Sequence, residues 1–433
     1  MKVVYTSVMR FLYTSLLYLL LPLAFLRLWL RSLKAPVYRQ RFAERLGYFK
    51  SPVQTPSIWL HAVSLGEVNA ASPLIKALLQ HYPSTPLVIT TMTITGSETV
   101  QRLFGSQVFH VYLPYDIPFA IRGFLKRTQP KLAIIMETEL WPNLFQHCAK
   151  SSIPLTVVNA RLSTHSFKNY KRLGKLIHPM LNCISMLAAQ TTADAERFIQ
   201  LGLSPERVQT LGNIKFDVSL DPKSIATGKA LRESWGKRPV WIAASTHAGE
   251  EEYVLNAFTE IKKRLPSALL VLVPRHPQRF DEVIALCSQR FRVLSRTEQK
   301  ESQKNCDADI DIFVGNTLGE MPLFYATADV AFLGGSLVPI GGHNLLEPAM
   351  LSLPTLTGPH LFNFTEISQL LIGAGAIIKI EDPGMLATEI ISLLNDPLRC
   401  QEMGKRGQAL VLEGQGALMR YLQLIEKLNS DVS

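Results

Sequence analysis

Short apolar runs alternate with amphipathic stretches along most of the chain, and this alternation limits the possible fold more than any other feature of the sequence. Strands that alternate with helices form parallel sheets whose two faces are covered by helices, so we expect an α/β protein. The predicted strands are Ile58–Val63, Leu87–Thr91, Val108–Leu113, Leu132–Met136, Leu155–Asn159, Met186–Gln190, Val208–Leu211, Val240–Ala244, Leu269–Val273, Phe291–Leu294, Ile312–Val314, Val330–Leu333 and Thr355–Leu356.

A polar stretch interrupts the alternation between Ser219 and Pro239 and contains few β-branched residues. We interpret residues 219–238 as a linker between two doubly wound, Rossmann-like domains of this 433-residue chain, the first at 34–218 and the second at 239–433. The second domain is expected to end in helices. Because ligands of such sheets bind beyond the carboxyl ends of the strands, we expect the two domains to face each other across a cleft.

The first fifty residues combine an apolar run with most of the positive charge of the chain. The run Phe11–Leu26 is interrupted only by Thr14, Ser15 and Pro22, and the segment holds nine Lys or Arg residues against one acid, whereas the whole chain has a net charge of +10. Basic residues beside an apolar helix favour the cytoplasmic face and anionic headgroups. Residues 1–33 are therefore predicted to be an uncleaved membrane anchor that spans the bilayer or lies in its interface. A buried core helix and a cleaved signal peptide are the alternatives, although no small-residue cleavage site follows the run.

The composition of the remaining chain excludes several classes of function. Because the charge outside the N-terminal segment is close to neutral, no nucleic-acid partner is expected. Five scattered cysteines without a CxxC pair indicate buried thiols in a reducing compartment. The acidic run Asp307, Asp309 and Asp311 precedes a strand and is interpreted as a solvated edge, and no HExxH motif is present. We therefore predict neither a metal site nor a cofactor.

Acidic residues follow two strands of the first domain. Glu67 opens a helix in the segment HAVSLGEVNAA, where it either complements the helix dipole or acts as a general base for a hydroxyl nucleophile. Glu137 and Glu139 follow a very apolar strand in METELWPN, and helix capping explains Glu139 better than Glu137. Lys215, in GNIKFD, follows the last strand of this domain and suits a phosphate or carboxylate of a substrate, although an isolated lysine is usually only solvated.

The second domain carries features of a site for a phosphorylated ligand. Arg275 follows Pro274 at a strand end, where a guanidinium is able to hold a phosphate. Gly319 and Glu320 open a helix, and the segment FLGGSLVPIGGHNLLEP joins a strand to another helix through a loop with four glycines. Glycines let backbone N–H groups approach an anion, and Glu347 is placed one turn into the helix to bridge ribose hydroxyls.

Taken in order, these motifs resemble those of the 3-deoxy-D-manno-octulosonic acid (Kdo) transferases, over nearly the whole chain. The segments that carry the resemblance are RFAERLGYF, HAVSLGEVNAA, TTMTITGSE, YLPYD, METELWPN, NARLS, GNIKFD, STHAGEEE, VPRHPQRF, GEMPLFYATADVAFLGGS and GGHNLLEP. The resemblance implies a GT-B fold and an inverting transfer of Kdo from CMP-Kdo to a lipid A precursor, lipid IVA, in lipopolysaccharide core biosynthesis. It also implies attachment to the cytoplasmic side of the inner membrane, where the basic segment contacts anionic lipids.

The resemblance also implies roles for individual residues. Glu67 is expected to deprotonate the acceptor hydroxyl, and Glu137 and Lys215 to stabilise the transition state. The residues expected to hold CMP are Pro274, Arg275, Gly319, Glu320, Met321, Asn344, Leu345, Leu346 and Glu347. Two alternatives stay open, another GT-B enzyme that acts on a nucleotide sugar and a catalytically inactive, membrane-tethered protein that binds one.

Overall fold

Two seven-stranded sheets form the framework of the protein, and every strand pair in both of them is parallel. The computed structural model describes residues 2–34, 41–51, 54–302 and 309–430. The chain divides into two units, one of Met1–Asp217 with Gln415–Ser433 and one of Val218–Gly414. The predicted doubly wound α/β class is thus confirmed, with one sheet in each unit.

The first unit holds strands in the order β3-β2-β1-β4-β5-β6-β7, and the central strands β1 and β4 are buried almost throughout because helices cover both faces of the sheet. Its strands are β1 Ser57–His61, β2 Leu87–Thr91, β3 Phe109–Tyr112, β4 Pro130–Met136, β5 Leu155–Ala160, β6 Met186–Ala189 and β7 Val208–Thr210. Its first eight helices are α1 Lys2–Lys34, α2 Leu65–His81, α3 Ile94–Phe104, α4 Pro118–Thr128, α5 Pro142–Lys150, α6 Thr164–Arg172, α7 Gly174–Leu181 and α8 Thr192–Gln200, and single 3₁₀ turns lie at Phe42–Leu46, Gly105–Gln107, Pro205–Arg207 and Ile214–Phe216.

Helix α1 contains the predicted anchor, and its segment Val8–Leu30 is long and apolar enough to cross a membrane. Half-buried residues recur along it every three or four positions, from Arg10 to Leu28, and this stripe faces the first unit. The helix contacts α5 and α7, and the hydroxyl of Tyr13 donates to Asp116 Oδ2 at 2.9 Å. Farther along the helix, the ring of Phe25 packs edge-on against Tyr115. The opposite side of the helix is apolar and exposed.

Part of the basic segment after α1 has a structural role that the sequence did not indicate. Residues 35–40 lie outside the described part of the chain, but Arg41 and Arg45 both place their guanidinium groups over the ring of Tyr112, at 4.7 and 4.5 Å from its centroid. Arg45 is buried and donates to the carbonyl of Met92 at 3.0 Å. Its predicted contact with anionic lipid is therefore wrong, because its charge is used inside the unit.

The second unit holds strands in the order β10-β11-β9-β8-β12-β13-β14. Its strands are β8 Val240–Thr246, β9 Leu269–Pro274, β10 Val293–Ser295, β11 Ile312–Val314, β12 Val330–Leu333, β13 Thr355–Thr357 and β14 Ile377–Lys379. Its helices are α9 Pro222–Ser234, α10 Glu250–Arg264, α11 Phe280–Ser288, α12 Arg296–Ser302, α13 Met321–Tyr325, α14 Leu346–Met350, α15 Thr365–Gly373, α16 Met385–Leu394 and α17 Pro397–Gly414, with a 3₁₀ turn at Pro277–Arg279. All thirteen predicted strands are present within two residues at each end, whereas the three-residue strand β14 was not predicted.

The predicted linker 219–238 is instead an integral part of the second unit. The Asp221 carboxylate caps the N-terminus of α9 by accepting the N–H groups of Lys223 and Ser224. Helix α9 packs closely against α13, where a side chain at Gly228 would meet the carbonyl oxygen of Leu323 at 2.3 Å. The lack of β-branched residues that suggested a linker is equally typical of a helix.

The C-terminal helix α18, Ala417–Ser430, belongs to the first unit. The predicted boundary of the second domain, 239–433, is therefore wrong at its C-terminal end. Its residues Tyr421, Leu422 and Ile425 are buried in the core formed with α2 and the first sheet. The Asp217 carboxylate caps its start by accepting the N–H groups of Gly416 at 2.5 Å and of Leu418 at 2.6 Å. This return of the chain depends on contacts between residues about 200 positions apart, which local sequence patterns do not reveal.

Candidate active site

Glu67 lies in the first turn of α2, directly after β1. Its carboxylate accepts the backbone N–H of Val63, with 2.7 Å between N and Oε2. Burial raises the pKa of Glu67 to about 8 against the opposing effect of that N–H group. Nearby Glu137 and Glu139 raise this pKa further, and the Arg161 guanidinium lowers it. The side chain therefore lies in the first turn of the helix, as its interpretation as a complement to the helix dipole requires, and it also has a pKa suited to a general base near neutral pH.

Glu137 follows β4 and is held in a strained backbone conformation with φ of 53°. Its side chain is buried, and its Oε2 atom accepts a hydrogen bond from Arg161 Nε at 2.8 Å. Asn159, at the end of the neighbouring strand β5, also has φ of 53°. Left-handed backbone at non-glycine residues costs about 1–3 kcal/mol and is concentrated at functional sites. Arg161 lies in the segment NARLS, but no role was predicted for it from the sequence. Its position just after the predicted strand Leu155–Asn159 is the signal that could have found it.

Glu139 lies beside this pair and is bound to an aromatic side chain. Its Oε2 atom accepts the indole N–H of Trp141 at 3.0 Å, and burial raises its pKa to about 6 with a smaller contribution from Glu137. Burial also raises the pKa of Tyr170, on α6, with a further contribution from the Glu139 carboxylate. The acidic cluster at the end of β4 thus lies next to Tyr170 of helix α6.

Lys215 lies in a short 3₁₀ turn that is fixed by side chains from the ends of β5 and β6. Asn159 Oδ1 accepts the N–H of Ile214 at 3.1 Å, and Asn213 Oδ1 accepts the N–H of Lys215 at 3.0 Å. The Asn213 amide in turn donates to Gln190 at 2.9 Å. Lys215 is half-buried at the same edge of the sheet as the acids, but it is not among the electrostatic neighbours of Glu67 in the described chain.

In the second unit, Arg275 and Glu347 form part of one electrostatic group. Arg275 follows Pro274 at the end of β9. Burial raises the pKa of Glu347 above its ordinary value, and the charge of Arg275 opposes this increase only in part. The Asn344 amide donates to Glu347 Oε1 at 3.0 Å and fixes its carboxylate. The side chains of Leu345 and Leu346, two further residues of the predicted CMP site, are buried in the core. The N–H of Leu346 donates to Asn344 Oδ1 at 3.1 Å, and the carbonyl of Leu345 accepts the N–H of Ala349.

The predicted site residue Glu320 has a different set of partners. It follows Gly319, whose φ is 78°, and its carboxylate forms salt bridges with Arg296 at 3.1 Å and Lys300 at 3.0 Å. Burial opposes ionisation, but hydrogen bonds from Arg296, Thr317 and Lys300 lower the pKa of Glu320 to about 2. The ionised carboxylate of Glu320 therefore links α12 to the start of α13, where Met321 begins the helix.

The glycine-rich loop after β12 already holds an anion that belongs to the protein. The buried carboxylate of Glu250, at the start of α10, accepts the N–H groups of Gly335 at 2.7 Å, Ser336 at 3.0 Å and Leu337 at 2.9 Å. The expectation that this loop presents those N–H groups to a ligand is therefore wrong. Sequence reasoning missed Glu250 because its partners lie about 85 residues away.

The described residues provide no cluster of His, Cys, Asp or Glu placed to hold a metal ion. Asp309 pairs with Arg292 at 2.9 Å and Asp311 with Lys262 at 2.6 Å, whereas Asp307 lies outside the described residues. The exposed Asp309 fits the interpretation of the acidic run as a solvated edge, whereas Asp311 is a half-buried partner of Lys262.

Comparison with known proteins gives consistent results for both units. The sequence model of the family described as 3-Deoxy-D-manno-octulosonic-acid transferase (kdotransferase) matches residues 40–218. A 3-deoxy-D-manno-octulosonic acid transferase of Haemophilus influenzae is 40% identical over 96% of this chain and 98% of its own length, and one of Bordetella pertussis is 36% identical over 96% and 99%. The solved structure of a glycosyltransferase from Rickettsia africae covers 86% of this chain and 99% of its own, with a TM-score of 0.51 and 12% identity. That likeness concerns the fold alone and agrees with the GT-B class.

Proposed function

The chain belongs to the 3-deoxy-D-manno-octulosonic acid (Kdo) transferase family, and from this premise we propose that it transfers Kdo from CMP-Kdo to the lipid A precursor lipid IVA with inversion at the anomeric carbon. The observation that carries the proposal is the buried carboxyl group of Glu67 beside the Glu137–Arg161 ion pair, at the carboxyl ends of β1, β4 and β5. A proton acceptor next to a fixed charge pair suits the attack of a hydroxyl group on a sugar carbon.

In the proposed reaction, Glu67 is the general base. The acceptor oxygen attacks the anomeric carbon of Kdo while the bond from this carbon to the phosphate oxygen breaks, and its electron pair leaves with CMP. The hydroxyl proton passes to Glu67, which must therefore be ionised before the step. Attack from the face opposite the departing phosphate inverts the configuration. The raised pKa makes Glu67 a stronger base than an exposed carboxylate.

The other predicted catalytic residues are proposed to stabilise the charges that develop in the transition state. Positive charge develops on the sugar, and Glu137 offsets it while Arg161 holds the Glu137 carboxylate in place. Negative charge develops on the departing phosphate, which Arg275 stabilises as a cation, and Lys215 is proposed to stabilise the transition state. Because cationic side chains supply this positive charge, we propose that the reaction needs no metal ion or cofactor, and a chelator is expected to leave the rate unchanged.

The second unit is proposed to bind CMP. Arg275 contacts the phosphate through its planar guanidinium, and Glu347, already oriented by Asn344, accepts the ribose hydroxyls. Leu345 and Leu346 are proposed to contact CMP through their backbone, although the Leu346 N–H also donates to Asn344 Oδ1. Contacts of Pro274, Gly319, Glu320 and Met321 with CMP stay predictions; for Glu320 they would have to form without releasing its three partners.

Helix α1 is proposed to lie in the membrane interface, with both units on the cytoplasmic side of the inner membrane. The stripe that faces the first unit extends from Arg10 to Leu28, which is about 27 Å of helix at 1.5 Å per residue. A helix in contact with a polar domain over this length cannot cross a bilayer without drawing that domain surface into hydrocarbon. The exposed apolar face is instead suited to enter one leaflet.

A basic surface links this helix to the candidate active site. Between Glu139 and Asp194 the sequence contains no acidic residue, and α6 presents exposed Lys168, Lys171 and Arg172. Helix α6 packs on α7, which contacts α1, and its Tyr170 lies beside Glu139. We propose that this surface holds the phosphate groups of the lipid acceptor while its acyl chains stay in the membrane.

Mass spectrometry of the lipid product tests the proposal. The full-length protein is incubated with lipid IVA and with CMP-Kdo generated in situ, and Glu67→Gln is the parallel sample. We expect one or more added Kdo units with the wild type and none with the variant. Product with a different sugar nucleotide instead would support another GT-B enzyme, and nucleotide binding without any product would support the inactive binding protein. Either result would contradict the proposed function.

A further inference from the structure

Three histidines gather at the carboxyl ends of the central strands of the second unit. His247 follows β8, His276 follows Arg275 at the end of β9, and His343 lies in the glycine-rich loop after β12. None of the three belongs to the residues predicted to hold CMP. They lie close to Arg275, whose charge affects both His247 and His343.

Two of these rings are in direct contact. The Nε2 atoms of His247 and His343 are 2.8 Å apart, and the ring planes differ by only 7°. Two imidazole nitrogens at this distance require one hydrogen between them, so one ring donates and the other accepts. The ring of His276 stands nearly perpendicular to that of His247, with 5.1 Å between the centroids.

The surroundings of the pair hold it in this arrangement. Gly335, with φ of 66°, lies against both rings, and a side chain there would meet His343 Nε2 at 3.0 Å. The Glu250 carboxylate accepts the backbone N–H of His247 at 3.0 Å as well as the N–H of Gly335. One buried carboxylate therefore fixes both the turn that carries His247 and the loop that faces it.

The charged groups around the pair are mostly positive. Burial lowers the pKa of His247 to about 4 and that of His343 to about 3. Arg275 and His276 contribute to both effects, and Arg279 contributes for His247. The carboxylates nearby are engaged elsewhere: that of Glu250 binds backbone N–H groups, that of Glu251 pairs with Arg279 at 2.6 Å, and that of Glu347 binds Asn344.

Without a ligand, a proton added to the pair would face Arg275, and among the described residues no carboxylate hydrogen-bonds either ring. A phosphate group in contact with Arg275 would supply an anion. We propose that the His247–His343 pair takes up one proton from solvent when the phosphate of the donor nucleotide binds, and that the charged pair then acts as its counter-ion together with Arg275. This inference rests on the proposed function, since it assumes that the second unit binds CMP.

The proposal fixes the sign of a pH dependence. A pair that is neutral alone and charged in the complex binds the nucleotide more tightly as pH falls, because binding then includes proton uptake. The increase ends below about pH 4, where His247 is already protonated in the free protein. Above the pKa that the pair has in the complex, the affinity no longer depends on its protonation.

Isothermal titration calorimetry in buffers of different protonation enthalpy counts the protons. The titrants are CMP and its methyl ester, cytidine 5′-methylphosphate, because the ester phosphate does not titrate near neutral pH and any uptake then belongs to the protein. At pH 6.5 we expect the full-length wild type to take up a fraction approaching one proton with the ester. His343→Asn and His247→Asn should bind more weakly and take up none. The matched control is His165→Asn, an exposed position on α6 in the first unit.

The outcomes separate the two proposals. If neither titrant binds to the wild type, the proposed function fails. If both bind and the heat is independent of the buffer, CMP binding stands and the histidine inference is overturned. Unchanged uptake in a histidine variant that keeps its wild-type melting temperature overturns it as well.

Discussion

Arg161 Nε lies 2.8 Å from Glu137 Oε2, and this ion pair joins the ends of the neighbouring strands β4 and β5. The Glu137 side chain is 10% exposed and that of Arg161 46%, so the carboxylate is fixed inside the unit while the guanidinium reaches solvent. The same guanidinium lowers the pKa of Glu67. Arg161 therefore acts on the proposed base through its charge, and we regard it as a positioning residue.

Replacing Arg161 by Met should raise the pKa of Glu67 above its present value of about 8, because the nearby cation is lost while Glu137 and Glu139 remain. The acid limb of the kcat/KM profile should then move to higher pH. At pH 7 we expect a loss of about 10- to 100-fold, which includes the misplacement of Glu137. Steady-state rates between pH 6 and 9.5 measure both effects.

Arg161→Lys is the matched control, since it keeps the charge and loses the planar hydrogen-bonding group. It should leave the acid limb near its wild-type position. An unchanged limb in Arg161→Met would show that Arg161 does not act on Glu67.

Glu67→Gln should lower kcat by about 10²–10⁴-fold with little change in CMP binding, because a general base contributes on that order. In the wild type, kcat/KM should fall about tenfold per pH unit below pH 8, since only the ionised carboxylate accepts a proton. Glu98→Gln, at an exposed position on α3, is the control and should keep the wild-type rate and profile.

The Glu67→Gln variant should also change how the stability of the protein depends on pH. The pKa of Glu67 is higher in the folded protein than the ordinary value of 4.5, so the folded state is progressively disfavoured as pH rises from 4.5 through 8. Glu67→Gln removes this effect. Its melting temperature should therefore exceed that of the wild type at pH 9 and approach it at pH 5, and a higher wild-type value at pH 9 would contradict the raised pKa.

The sequence predicted well what depends on local pattern. Parallel strands covered on both faces are continuous apolar runs, which is why strands such as β2, β11 and β12 matched their predicted bounds. The positions of Glu67 and Glu137 followed from the strands that precede them. Arg161 and Glu250 were missed because their partners lie 24 and about 85 residues away. Nothing local distinguishes such an ion pair from a solvated charge.

Helix α1 provides a test of how the chain meets the membrane. Spin labels at Leu12, Leu19 and Leu26, all on the exposed face, should report similar depths in vesicles, because the helix is proposed to lie parallel to the surface. For a helix that crosses the bilayer upright, the 14 residues between the outer labels would separate them by about 21 Å in depth. Paramagnetic relaxation by oxygen and by a water-soluble nickel complex measures the depth of each label.

A label at Thr14 is the internal control, since its side chain hydrogen-bonds Asn143 and faces the first unit. It should be accessible to neither relaxing agent. Depths that increase steadily from Leu12 to Leu26 would overturn the interfacial arrangement and support a spanning anchor.

The basic surface of α6 should matter only when the acceptor is in a membrane. Replacing Lys168 and Lys171 by Glu should reduce kcat/KM on lipid IVA in anionic vesicles by about 10- to 30-fold, since each Lys near such a surface contributes about 1 kcal/mol. The affinity for CMP, which is proposed to bind the second unit, should stay unchanged.

The matched control carries the same charge reversal at exposed Lys76 and Arg102, on α2 and α3. Raising the salt concentration should lower the kcat/KM of the wild type towards that of the α6 variant, because salt screens the attraction between the lysines and the anionic acceptor. Equal losses in both charge-reversed variants would show that only net charge matters and that α6 does not hold the acceptor.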